Sequence, residues 1–233
     1  MQRSYVIEIQ NLSRYVGWSL IATVAIGMAA AMLVSSGIDV NMSADVKATA
    51  ENMLNAESRL RVKAYVGLLL FMLGMFASVG LFLILREANV VVSLWSLMVD
   101  VSASVLGVFS SVFAMNAALI AGNAAFDAIG GGNQHVLLTS VQVVSDYTSF
   151  HLALVLGSAA KVGVFYVFMR SDLIPKFISA WGIFASLFVV IALVGRDFIP
   201  ALGSNAITAA FLASNLLAIL MLGLYLGVKG VRR

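Results

Sequence analysis

The sequence predicts an all-α integral membrane protein: a six-transmembrane-helix bundle with an external amphipathic helix and an external helical hairpin. Three observations predict this class. First, 61% of the 233 residues are hydrophobic and 11% are charged, against about 45–50% and 25% in soluble domains. Second, the mean hydropathy is +1.01. Third, six continuous apolar stretches each reach the roughly 20 residues that a helix needs to cross a bilayer.

The six predicted spans form one domain, residues 1–233. Their approximate bounds are 15–34, 63–85, 89–121, 148–169, 177–194 and 205–228. Backbone amides and carbonyls in lipid must be paired within their own segment, and the stretches do not alternate as barrel strands do. We therefore expect each stretch to be a helix.

Lysine and arginine residues predict the orientation of these spans. Of the 14 lysines and arginines, eight lie on one side of the predicted bundle, in the segments that contain the two termini, Arg86 and Arg170–Lys176. Five lie in the segments on the opposite side. The remaining one, Lys161, lies within a span. Cytoplasmic segments carry an excess of Lys and Arg, so we expect both termini in the cytoplasm.

The segment between the first two spans predicts a helix over Ser43–Ser58. Its apolar residues share one helical face, as in helices that lie on a membrane or cap a bundle. These residues are Val46, Ala50, Met53 and Leu54. Ser43 is the predicted N-cap, with Asp45 in the first turn.

The third and fourth apolar runs are longer than the bilayer requires on the external side. Gly130–Gly132 interrupts them and predicts a tight turn. We expect the two helices to project outward as an antiparallel hairpin. The alternative is that the excess residues lie flat at the membrane interface.

Asp100 and Lys161 are the two charged residues that fall well inside predicted spans. A charged residue at the centre of a span costs about 2.5–3.5 kcal/mol on insertion scales, so such residues face the protein interior and have partners. Measured from the inner ends of their helices, the two residues are offset by about one turn, or ~6 Å. They are a candidate buried ion pair. The pair either fixes the register of two helices or forms a polar ligand site or proton relay at mid-depth; alternatively, Lys161 snorkels alone.

His151 and Asp146 form a second candidate pair near the outer end of the fourth span. Together with His135 and Asp127 they suggest a carboxylate–histidine site, but their spacing matches no metal-binding motif. We therefore predict no metal and no cofactor. The alternative for His151 is a hydrogen bond between helices.

Three stretches resemble one known family. They are Ser13–Gly17, then Asp45, Thr49, Asn52, Glu57 and Arg59, then His151, Arg170–Lys176 and Ser179–Gly182. They resemble the bacterial membrane proteins of domain-of-unknown-function family 4386, over most of the chain. The resemblance implies six helices in the bacterial inner (plasma) membrane and no assigned activity.

These observations leave three functional hypotheses. The first is binding or transport of a small or amphipathic molecule through the polar site at mid-depth. The second is a non-catalytic partner or assembly subunit, which would form a homo-oligomer. The third is an intramembrane lipid-modifying enzyme that uses His151 with Asp146 or Asp127. Membrane lipids are expected partners, whereas a net charge of +3 gives no indication of nucleic acid.

Overall fold

The computed structural model describes residues 2–39, 45–122 and 132–232. These residues form seven α-helices and one short 3-10 helix. Their bounds are Gln2–Leu33 (α1), Val46–Leu54 (α2), Glu57–Leu85 (α3), Val90–Gly122 (α4), Gly132–Ser171 (α5), Lys176–Gly195 (α6), Pro200–Gly203 (3-10) and Asn205–Lys229 (α7). Six of them, all except α2 and the 3-10 helix, are long and apolar enough to cross a membrane. The predicted all-α membrane bundle is confirmed.

The helix between the first two spans is shorter than predicted. α2 covers Val46–Leu54, and Asp45 rather than Ser43 is its N-cap, with the carboxylate accepting a hydrogen bond from the Ala48 amide at 2.9 Å. The carboxylate pairs an amide that has no partner within the helix. Ser43 lies outside the described residues. The predicted apolar face is present, because Ala50 and Met53 are buried.

α4 and α5 extend well beyond a bilayer-spanning length. They contain 33 and 40 residues, about 50 and 60 Å at 1.5 Å per residue, against ~30 Å of hydrocarbon. Asn116 Nδ2 on α4 donates to Gln142 Oε1 on α5 at 3.2 Å. These lengths and this contact agree with the predicted hairpin. Gly132 begins α5, and the rest of the predicted glycine turn lies outside the described residues, as does Asp127.

The chain divides into two compact units, and α1, α3, α4 and α5 contribute residues to both. Unit 1 contains Met1–Val24, Met72–Ser104 and Ala153–Arg233. Unit 2 contains Ala25–Phe71 and Val105–Leu152. The core of unit 1 includes the buried Val16, Phe165 and Leu226.

The core of unit 2 is built around α2 and the helices that it contacts. Its buried residues include Ile38, Met53, Leu60 and Val143. Three buried alanines on α4, Ala114, Ala117 and Ala118, complete this core. Their small side chains let neighbouring backbones approach closely, as is typical of helix contacts in membrane proteins.

Candidate functional site

A cavity of about 230 Å³ lies within unit 1. Five helices, α1, α3, α4, α5 and α7, contribute to its lining, which consists mostly of apolar side chains. The larger apolar side chains are Leu20, Val24, Leu81, Phe82, Leu85, Leu97, Val164, Phe165, Ile219 and Leu222. An apolar wall with a few polar groups is the usual composition of a small-molecule site in a protein.

Asp100 on α4 and Lys161 on α5 both line this cavity. A Cβ built on Gly157 would lie 3.7 Å from Asp100 Oδ1, so the carboxylate lies beside Gly157, one helical turn before Lys161. The two charges interact electrostatically, but in the described part of the chain no hydrogen bond joins them. The cavity wall therefore carries both an acidic and a basic side chain.

Ser78 on α3 is the direct partner of Asp100, because its hydroxyl donates a hydrogen bond to Asp100 Oδ2. The same hydroxyl is also recorded 2.8 Å from the Gly74 carbonyl oxygen one turn earlier. Ser78 was not recognisable as a site residue from the sequence, since one serine in an apolar span carries no signal of its own. Its position fixes the Asp100 carboxylate on the cavity wall.

Two further hydroxyls belong to buried serines of the cavity wall. Ser93 and Ser96 on α4 are each 2% exposed, and among the described residues neither Oγ atom has a hydrogen-bond partner. Ser96 Oγ fits against α5 at Gly163, where any side chain would collide with it. Buried polar groups normally have a partner. Neither Oγ atom has surface open to the cavity, so an occupant could accept a hydrogen bond from them only after the serine side chains rotate.

Asp146 and His151 lie in unit 2, and their recorded contacts are with different groups. Asp146 Oδ2 accepts from Lys63 Nζ at 2.9 Å, and the same amine lies 3.4 Å from Asp39 Oδ2. His151 Nδ1 lies 2.7 Å from the Tyr147 carbonyl oxygen, and the two rings are 3.9 Å apart. The structure therefore brings Asp146 to Lys63.

The place of Lys63 in this cluster was not recognisable from the sequence. At the predicted start of the second span, Lys63 counted as a residue of the external loop. Its side chain is only 12% exposed, and those of Asp39 and Asp146 are 18% and 4% exposed.

No group of three or more His, Cys, Asp or Glu residues that could hold a metal occurs in the described ranges.

Two of the stretches that carry the family resemblance meet at the end of the chain. Ser13 Oγ on α1 accepts a hydrogen bond from the Val231 amide at 3.2 Å. In the turn between α5 and α6, the Leu173 carbonyl accepts from the Arg232 amide at 2.9 Å. The buried Ile174 packs into the core of unit 1. These motif residues hold the chain end in place and do not line the cavity.

The second of these stretches donates hydrogen bonds to the chain at the end of α1 in unit 2. Arg59 Nη2 donates to the Val34 carbonyl at 2.7 Å. Asn52 Nδ2 donates to the carbonyl of Gly37 at 3.0 Å, and Gly37 has a φ of 77°, a conformation that glycine adopts without strain. Carbonyls at a helix end lack hydrogen-bond partners within the helix. The side chains of Arg59 and Asn52 donate hydrogen bonds to carbonyls in this chain reversal.

The comparisons with known proteins agree with the resemblance. The sequence profile of the family described as "Domain of unknown function (DUF4386)" matches residues 15–230. No curated protein and no solved structure matches the chain. The matched region covers nearly all of the sequence and includes all the stretches described above except the first two residues of Ser13–Gly17. The chain therefore belongs to the DUF4386 family, and the prediction made from its motifs is confirmed.

Proposed function

We propose that this multi-pass membrane protein binds a small amphipathic molecule in the cavity of unit 1. The observation that carries the proposal is the presence of Asp100 and Lys161 together on an otherwise mostly apolar wall. Charged groups within a membrane span are costly and typically mark substrate or ion sites. Here both charges face the same space, which is of a size that suits a small ligand.

The size of the cavity limits the class of ligand. An apolar cavity of about 150 Å³ accommodates benzene, so 230 Å³ accommodates about nine non-hydrogen atoms on the same scale. A lipid acyl chain or a nucleotide exceeds this volume and would extend beyond the cavity, which is not fully enclosed. A ligand held wholly inside is a compact molecule with a polar end for Asp100 and Lys161 and an apolar body for the leucine-rich wall.

A cavity-filling substitution tests the proposal. A Cβ built on Gly74 meets nothing within 4 Å, and Gly74 lines the cavity. Gly74→Leu should therefore occupy the space without a backbone collision. Gly27→Leu is the matched control, because a Cβ on Gly27 also meets nothing within 4 Å and Gly27 is not among the cavity residues.

The measurement is the shift in unfolding temperature of the purified protein with a panel of small anionic, cationic, zwitterionic and neutral amphiphiles. A ligand that binds the folded protein raises this temperature. We expect at least one class to stabilise the wild type and the Gly27→Leu variant, and no class to stabilise Gly74→Leu. If no class stabilises the wild type, or if Gly74→Leu responds as the wild type does, the proposal is wrong.

The two alternative functions have less support. A non-catalytic assembly subunit predicts a filled bundle, and the cavity argues against that expectation. A lipid-modifying enzyme that uses His151 with Asp146 or Asp127 has less support because Asp146 is paired with Lys63, and Asp127 lies outside the described residues. Binding, with transport as an extension to be measured in vesicles, is the function that the cavity favours.

We also propose that the protein lies in a bacterial inner membrane with both termini in the cytoplasm. The family resemblance implies that membrane, and the distribution of Lys and Arg supports the orientation. Exposed basic residues occur at the predicted cytoplasmic end, including Arg14, Arg86, Arg170, Lys176 and Lys229.

A further inference from the structure

We propose that the ligand of the unit 1 cavity is a small zwitterion with an apolar body, of the class of the aliphatic α-amino acids. This inference rests on the proposed binding function and specifies the ligand. It is drawn from the two opposite charges, the buried hydroxyls and the apolar remainder of the wall.

The charges are the first argument. Asp100 and Lys161 line one cavity, and no hydrogen bond joins them in the described part of the chain. A purely anionic ligand would pair with Lys161 but would be repelled by Asp100, and a purely cationic ligand would meet the reverse problem. A zwitterion pairs its ammonium with Asp100 and its carboxylate with Lys161, and it leaves the net charge of the cavity unchanged. Unpaired charges in a medium of low dielectric constant are costly. A zwitterion is therefore the class of ligand that leaves no charge unpaired.

The hydroxyls are the second argument. Ser93 and Ser96 are buried, lie on the cavity wall and have no hydrogen-bond partner among the described residues. Hydroxyls donate well to a carboxylate. Ser78 already donates to Asp100 Oδ2, so this carboxylate is held ready to accept an ammonium. Once the side chains of Ser93 and Ser96 rotate to present Oγ to the cavity, these groups can satisfy both ends of an α-amino acid.

The size and the apolar wall are the third argument. The cavity accommodates about nine non-hydrogen atoms on the benzene scale, which is the size of leucine. The remaining wall includes Leu81, Leu97 and Leu222, which suit a branched aliphatic side chain. A longer or more polar side chain would exceed the space or lose its hydrogen bonds to water.

Three probes of one shape test the inference: L-leucine, 4-methylpentanoate, which lacks the ammonium, and 3-methylbutylamine, which lacks the carboxylate. Affinity is measured by calorimetry or equilibrium dialysis on the purified full-length protein. We expect leucine to bind about tenfold or more tightly than either analogue, since each lacks one charge-assisted hydrogen bond.

Two isosteric variants connect each charge to its partner on the ligand. Asp100→Asn should weaken leucine and 3-methylbutylamine but not 4-methylpentanoate. Lys161→Met should weaken leucine and 4-methylpentanoate but not 3-methylbutylamine. A variant that fails to fold is replaced by Ser78→Ala, which removes the hydroxyl that orients Asp100 and should follow the Asp100→Asn pattern more weakly.

The outcomes separate this inference from the function on which it rests. If leucine binds no better than its single-charge analogues, or if each variant weakens all three probes equally, the zwitterion inference is wrong. If another class of amphiphile binds and is lost in Gly74→Leu, the inference fails while the proposed binding function stands. If no small molecule binds the wild type, both fail.

Discussion

Lys63 has a larger structural role than its place near the start of a span suggests. Its amine contacts two carboxylates, Asp146 at 2.9 Å and Asp39 at 3.4 Å. These partners come from α5 and from the segment that follows α1, so one side chain of α3 joins three parts of unit 2. One oxygen of Asp146, Oδ1, is buried without a hydrogen-bond partner among the described residues. The Asp146 carboxylate therefore depends on Lys63.

Removal of this amine should destabilise unit 2 strongly. Lys63→Met leaves a buried carboxylate without its cation, a change that costs about 3–5 kcal/mol in comparable sites. The measurement is thermal unfolding of the purified variant. Lys47→Met is the matched control: Lys47 lies 3.8 Å from Glu51 with its side chain 80% exposed, and exposed ion pairs contribute little. Equal stability of the two variants would contradict the role assigned to Lys63.

At the scale of single residues, the sequence identified some partners and missed others for a physical reason. Asp100 and Lys161 were recognisable because charges inside apolar spans are rare, and the axial offset followed from the helical rise. Ser78 and Lys63 were not recognisable. A serine is common in membrane helices, and Lys63 lies where apolar residues begin, so nothing in the pattern distinguished it from a solvated residue. Their roles depend on which helices are neighbours.

α1 and α7 approach each other backbone to backbone. A Cβ on Gly17 would lie 2.6 Å from the Gly223 carbonyl oxygen and 2.8 Å from Gly227 Cα. Gly223 and Gly227 are four residues apart on α7, the spacing that lets membrane helices pack backbone against backbone. The obstacle to any side chain at Gly17 is backbone, which cannot move aside as a flexible side chain can.

Gly17→Ala should therefore separate α1 from α7. We expect a loss of stability of about 1–3 kcal/mol, the range for an overpacked contact, although alanine favours a helix more than glycine does. Gly27→Ala is the control on the same helix, because its added methyl meets nothing within 4 Å; it should be neutral or stabilising. Thermal unfolding of both variants decides the matter, and a Gly17→Ala variant as stable as Gly27→Ala would contradict the contact.

At the scale of elements, the spans were predictable and their ends were not. Hydropathy identifies the apolar part of each helix, but α3 begins at Glu57, six residues before the predicted start. Its first turns are polar, and Glu57 pairs with Arg61 at 2.8 Å. The predicted Ser43 cap failed for a related reason. Ser43 and Asp45 are both suitable caps, and the sequence does not show which of them takes the position.

At the scale of the whole molecule, the orientation of the chain is the property that composition predicts and that can be measured directly. The sequence contains no cysteine, so a single introduced cysteine reports its own position. The six spans were predictable because lipid imposes a minimum apolar length. The cavity was not predictable, because its volume depends on how side chains from five helices fill the space between them.

Single-cysteine variants test the proposed orientation. On intact cells, a maleimide that does not cross membranes should label Glu51→Cys on α2 and should label Lys229→Cys only after the cells are permeabilised. Both native side chains are exposed, so neither position is hidden by packing. The parent protein, without cysteine, gives the background signal. Labelling of Lys229→Cys on intact cells, with Glu51→Cys protected, would reverse the orientation.

The Lys63–Asp146 contact has a consequence for biosynthesis. The two residues are 83 positions apart, and a ribosome adds about 5–20 residues per second. The nascent second span therefore exists for about 4–17 s before its acidic partner has been translated. During that interval Asp39, the other carboxylate that Lys63 contacts, has already been made. The Lys63–Asp146 ion pair therefore forms only after the chain has grown well past the lysine-bearing segment.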